Sequence, residues 1–210
     1  MAVNKNTVLK TIKNRRSVRK YQNEQIKQEK LDIILEAGIY APSGHNDQPW
    51  HFTVIQDKEL IEHMNTETKN NMANAPIDWV ENMGKNKELH IYHDAPTVIV
   101  FSGRKNALAP LIDCSAAAQN MLLAAKSLNI GSCWVGLAKF FFQNPENAEK
   151  LDLASFFQTT IKDMYIPENA TKVNIPEEYE PYFAVTLGYP ESTKEIPAPK
   201  RKSDVVDYIK

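Results

Sequence analysis

The chain has 210 residues, 42% of them hydrophobic, with 25 Lys and Arg against 26 Asp and Glu. That length supports one sizeable α/β-type domain or two very small ones, with apolar residues enough for a real core, and the charge balance argues against a general nucleic-acid or membrane-surface binder, which carries a basic excess. The two cysteines, Cys114 and Cys133, lie in apolar stretches with no Cys or His at ligand spacing, which argues against zinc and fits a reducing compartment.

Met1 to Thr11 has no apolar run of signal-peptide type, and no apolar stretch is long enough to span a bilayer, so the expectation is a cytoplasmic protein. Val8, Leu9 and Ile12 recur at helical spacing and predict a helix over Thr7 to about Asn14. Leu31, Ile34, Leu35 and Gly38 predict a second one from Lys27 to about Tyr40, stopped before Pro42. Trp50 to Ile55 is β-rich, follows Pro49 and reads as a strand. Glu59 to about Asn70 is helical in pattern. Asn71 to Leu89 is polar, contains Pro76 and Gly84, and reads as a mobile excursion. Val98 to Phe101, after Pro96, reads as a buried central strand.

Leu111 to Asn129 is the strongest helix and is apolar nearly all round, so it needs cover on every side, part of it from a second copy. Ser132 to Leu137 reads as a short strand. Phe140 to Ile175 reads as irregular, with one helix near Asn147 to Phe156, and Phe183 to Leu187 as the last strand. There is no repeat and no interdomain linker, so residues 1–210 read as a single domain. Loosely alternating helices and short strands suggest three layers, helices around one sheet.

Three segments carry chemistry. Arg15-Arg16-Ser17-Val18-Arg19 packs three guanidinium groups and a hydroxyl into five residues. It reads either as a solvated helix end, where cations complement the dipole, or as an anion site, since Arg offers a planar fork of donors that suits phosphate. Pro42-Ser43-Gly44-His45-Asn46-Asp47-Gln48-Pro49-Trp50 is either a plain turn into a strand or a loop whose small residues let backbone N–H groups approach a flat ligand. In Gly131-Ser132-Cys133-Trp134-Val135-Gly136 the thiol has no His partner and no electropositive setting in view, so Cys133 reads as core. Lys200-Arg201-Lys202 is a basic patch, and Gly103-Arg104-Lys105 reads as a solvent turn. No Gly-x-Gly-x-x-Gly or P-loop segment occurs, and no His spacing implies a metal.

On these segments the chain resembles the FMN-dependent nitroreductase family, from about Leu9 to the C-terminus and least closely between Leu60 and His90. Arg15 to Arg19 is similar to the family's Arg-x-Ser-x-Arg segment, and Pro42 to Trp50 to its Pro/Ser-Ser-x-x-Asn-x-Gln-Pro-Trp. The resemblance implies an α+β, three-layer helix/sheet/helix fold with a mixed, largely antiparallel sheet. It implies a homodimer, with a C-terminal extension reaching onto the partner subunit. It implies FMN as cofactor, NADH or NADPH as transient donor, and hydride passed through the flavin to an electron-poor acceptor such as a nitroaromatic or quinone.

By the same resemblance Arg15 and Ser17, with Arg16 between them, serve the ribityl phosphate, and Arg19 lies near the pyrimidine edge. Pro42, Ser43, Gly44 and Asn46 cover the ring from the opposite subunit. The backbone of Trp134, Val135 and Gly136 lines the dimethylbenzene and N5 side, and Arg201 returns to the phosphate. No side chain is assigned as catalytic and no metal is expected. The arginine and Pro42 segments are also similar to those of reductive iodotyrosine deiodinases and flavin-fragmenting dimethylbenzimidazole synthases. A flavin-binding sensor or carrier without nicotinamide turnover is the alternative from another class. A nucleic-acid binder using Lys13 to Lys20 is a third, which the charge balance disfavours.

Overall fold

Alternation along the strands decides the architecture. The computed structural model describes residues 6–143, 167–194 and 196–209. Four strands, β1 (Trp50–Ile55), β2 (Thr97–Arg104), β3 (Gly131–Val135) and β4 (Tyr179–Gly188), form one sheet in the order β1-β2-β4-β3. All three ladders are antiparallel, with Trp50 opposite Gly103 in the first and Val135 opposite Ala184 in the last. Successive side chains of a strand face opposite sides. Val98 and Val100 therefore enter one core with Ala184, while Ile99 and Phe101 enter the other with Phe183 and Val185.

Helices cover both faces, as the three-layer expectation requires. On the Phe101 side lie α2 (Gln28–Ile39) and α5 (Pro110–Ser127); on the Val98 side lie α3 (Lys58–Met72), α4 (Asp78–Lys85), a 3-10 helix over Gly136–Phe142 and α6 (Pro167–Lys172). Full burial of side chains such as Phe101 or Ile99 contributes roughly 1.5–3 kcal/mol each. Gly38 is needed where α2 meets α5: a Cβ there would sit 2.2 Å from Met121 Cε. The C-terminal carbonyls of α5 are met by Lys30, whose Nζ donates to the Leu128 carbonyl at 3.2 Å, a cation at the negative end of the dipole.

Helix α1 (Thr7–Asn14) and β1 have the bounds that the sequence predicts. Asn6 caps α1 by accepting the Leu9 N–H at 3.1 Å. Yet α1 buries no residue, and Val8, Leu9 and Ile12 all stay exposed. Helix α5 is likewise covered on one face only, with Ile112 71% exposed on the other.

Two readings need correction. Asn71 to Leu89 is not a structureless excursion: it contains α4, which buries Val80 and Gly84. Gly84, read as a breaker, is a packing contact, since a Cβ there would lie 2.4 Å from the Ala73 nitrogen. The strand expected over Ser132 to Leu137 stops at Val135, where the 3-10 helix begins. The helix expected near Asn147 to Phe156, and most of the irregular stretch around it, lies outside the described residues. Among the described residues no helix is long and apolar enough to cross a membrane.

Candidate functional site

The arginine segment leaves α1 as extended chain. The Val18 N–H donates to the Ser132 carbonyl at 2.9 Å, and Ser17 forms a parallel bridge with Ser132. Arg15, Ser17 and Arg19 thereby line the free edge of β3. Tyr21 fixes the turn behind them, its hydroxyl donating to the Val18 carbonyl at 2.6 Å.

Arg15 is half-buried and Arg19 exposed, and among the described residues neither guanidinium has a carboxylate partner. Two uncompensated forks beside a hydroxyl fit a phosphate-bearing ligand in donor chemistry. Arg16 differs. Its Nη1 donates to the carbonyls of Lys13 (2.7 Å) and Arg15 (2.6 Å), and its Nε reaches the Pro197 carbonyl at 3.4 Å. It shapes the segment and ties it to the C-terminal tail.

Cys133 is buried, as expected of core, but its setting is more electropositive than the sequence suggested. Burial pushes the thiol up, while Arg19, a hydrogen bond with Ser17, and Arg15 pull it back. His93 feels the same arginine. Burial first, then Arg19 and His90, lower its imidazole to about 4 against the opposing Asp94. His93 is thus neutral in the folded chain well below the usual histidine range, whereas the unfolded chain protonates near 6.5. Its contribution to stability is complete above about pH 6.5 and is lost as pH falls towards 4. We expect an NMR titration of His93 to show the low value, and Arg19→Ala to raise it. An unmoved His93 in that variant would contradict a free guanidinium at this place.

Next to His93, the ligating atoms of Glu62, His90 and Asp94 lie within 4.8 Å of one another. His90 Nε2 is 3.4 Å from Glu62 and 3.8 Å from Asp94, and its Nδ1 accepts the Tyr92 N–H at 3.1 Å. A metal-bound imidazole donates from its second nitrogen. Here that nitrogen accepts instead, and Nε2 faces the two carboxylates without a hydrogen bond to either.

The Pro42–Trp50 loop carries visible strain. His45, Asn46 and Gln48 have φ of 51°, 56° and 46°, a region that asparagine tolerates and the others enter at a cost. Polar contacts hold it. Ser43 Oγ accepts the Gln48 N–H at 3.0 Å, Asn46 Oδ1 accepts Gln48 Nε2 at 3.1 Å, and the Gly44 N–H donates to Asp113 Oδ1 at 3.2 Å. Asp47 pairs with Arg104. Arg104 is therefore the last residue of β2 and a brace for the loop, not part of a solvent turn. The sequence reading passes over Asp113, an acid among apolar residues in the first turn of α5, and the structure buries it against the loop.

Trp134 is 37% exposed and stacks on Phe183 with ring centroids 4.0 Å apart. Val135 is buried and Gly136 half-buried, so the backbone at this corner is reachable from outside. Lys139, one turn on, is buried, and its ammonium is lowered to about 8 by burial, with Glu180 opposing. Arg201 is exposed on a tail that is exposed from Glu191 onward through its described residues.

The arginine set and the loop do not meet within one chain. The loop sits where β1 begins and touches Asp113 at the start of α5, whereas the arginine set lies along β3 beyond its end. From Asp113 to Ser127 the helix climbs about 21 Å, and three strand spacings add about 14 Å across the sheet. The two segments occupy diagonal corners.

The model of the nitroreductase family matches residues 12–189. A nitroreductase with bound FMN from Bacteroides fragilis is 32% identical, covers 98% of this chain and 100% of its own, and superposes with a TM-score of 0.79. An FMN reductase [NAD(P)H] from Bacillus subtilis is 27% identical over 202 residues, covering 92% of this chain and 80% of its own length. An iodotyrosine deiodinase bound to FMN and 3-iodo-L-tyrosine shares the fold, at 21% identity, with a TM-score of 0.69 over 97% of this chain and 99% of that one.

Proposed function

The chain belongs to the nitroreductase family, an FMN-dependent NAD(P)H oxidoreductase by that membership, and we propose that it passes a hydride from NADH or NADPH to an electron-poor acceptor such as a nitroaromatic or quinone. The observation that carries the proposal is the pair of unpaired guanidinium groups, Arg15 and Arg19, beside Ser17 on the edge of β3. FMN, when bound, supplies the acceptance and release of two electrons. Arg15 and Ser17 would hold its phosphate, with Arg201 joining from the tail. Arg19 would stabilise negative charge at the pyrimidine edge. Trp134, Val135 and Gly136 would present backbone to the ring.

Pro42, Ser43, Gly44 and Asn46 would close over the ring from a second copy, because their own chain holds them at the opposite corner. Exposed apolar groups favour such a homodimer: Val8, Leu9 and Ile12 on α1, Ile112 on α5, and Val205, Val206 and Ile209 on the tail. Two free, buried thiols agree with a reducing, cytoplasmic setting.

One shared pocket makes donor and acceptor take turns. We expect ping-pong kinetics, with parallel double-reciprocal lines and competition of excess acceptor against NAD(P)H. Intersecting lines, the mark of a ternary complex, would rule out the shared pocket. Bound flavin that no nicotinamide reduces would instead favour the sensor reading.

A further inference from the structure

Resting on the FMN reading above, we infer that Asn71 and Asn169 are positioning residues for the Val135–Gly136 backbone: two buried amides that clamp the far end of the 3-10 helix whose first residue is Gly136. Asn71, in the last turn of α3, is 7% exposed and donates from Nδ2 to the carbonyls of Phe140 (2.7 Å) and Gln143 (3.0 Å). Asn169, in α6, is 5% exposed and donates from Nδ2 to the Phe141 carbonyl at 2.6 Å. Its Oδ1 accepts Lys172 Nζ at 3.2 Å, which fixes the way the amide points.

The need for these amides follows from local structure. The last carbonyls of any helix lack intrahelical partners, and buried carbonyls need one. The Gln143 N–H reaches the Phe140 carbonyl at 3.3 Å, and Phe140, Phe141 and Phe142 are themselves buried and apolar and supply no side-chain donor. Two distant elements supply the side-chain donors. His63 of α3 adds an edge contact to the Phe141 ring at 6.2 Å. At the other end Val135 is fixed by its ladder to Ala184.

Gly136 stands between these two anchors and has no side chain of its own to hold it. The position of its backbone therefore follows from the β3 ladder on one side and from the amide clamp on the other. A backbone donor facing the flavin must be held before the ligand arrives to act on it. Asn71 lies in the stretch where the resemblance to the family is least close, so its task belongs to this chain's own packing.

The test reads the midpoint potential of bound FMN by equilibration with a reference dye, which needs no nicotinamide. An N–H donor held against the ring favours the oxidised state, whose nitrogen accepts it, so loosening the clamp raises the potential. Asn71→Leu and Asn169→Leu should each keep about one FMN per chain and raise its potential by about 30 mV, a tenfold change for a two-electron couple. Asn74→Leu, replacing an exposed amide that bonds only the Asn70 carbonyl at 2.9 Å, should leave it unmoved. Should a leucine variant fail to fold, Asn71→Ser keeps one donor and should shift the potential less, in the same direction. Variants that melt earlier yet hold the wild-type potential and flavin spectrum would overturn the clamp alone. A wild-type chain that takes up no FMN would overturn the functional reading, and the clamp with it.

Discussion

Arg15→Glu is expected to purify colourless and to bind added FMN at least ~100-fold more weakly than the wild type. A charge-assisted hydrogen bond contributes roughly 1.5–3 kcal/mol, and reversing the charge adds repulsion of the phosphate. The guanidinium has no carboxylate partner among the described residues, so its removal strands no buried acid and should leave the fold intact. Lys10→Glu makes the same charge change on the exposed surface of α1 and serves as the control. An equal loss of affinity in both would mean that only the overall field matters. That would remove Arg15 from the site.

The second expectation tests the diagonal geometry. Asp113→Ala removes the acceptor that holds the Gly44 N–H at 3.2 Å and frees a loop with three non-glycine residues at positive φ. Alone, each of Arg15→Glu and Asp113→Ala should bind little FMN. Co-expressed, they form a mixed dimer whose two sites are no longer equivalent. In a two-fold interface each site takes one segment from each chain, so one site receives both intact segments, the other both damaged ones, and about one FMN per dimer returns. A mixed dimer as empty as its parents would mean that the arginine set and the loop act within one chain.

Much of the fold could be read from sequence where local rules decide. Val8, Leu9 and Ile12 at helical spacing mark α1, and Pro49 before a β-rich run marks β1. The family resemblance carried the arginine set and the loop. Features that depend on distant partners were less legible. Gly84 looks like a breaker until the Ala73 backbone is seen against it. Arg104 looks like turn charge until Asp47 folds back onto it. Asp113 disappears among apolar neighbours because nothing local says that Gly44 will need an acceptor. His45 and Gln48 adopt positive φ without any glycine to announce it. The electropositive surroundings of Cys133 arise only when Ser17 docks on Ser132.

The central claim is that this chain uses FMN to take electrons from a reduced nicotinamide. An anaerobic titration of the FMN-loaded protein with NADH, and separately with NADPH, followed by the visible absorbance of the flavin, tests it most directly. The expected result is complete bleaching at about one equivalent of one nicotinamide per flavin, with colour restored by a quinone or nitroaromatic. Flavin that dithionite bleaches but neither nicotinamide reduces would contradict the claim.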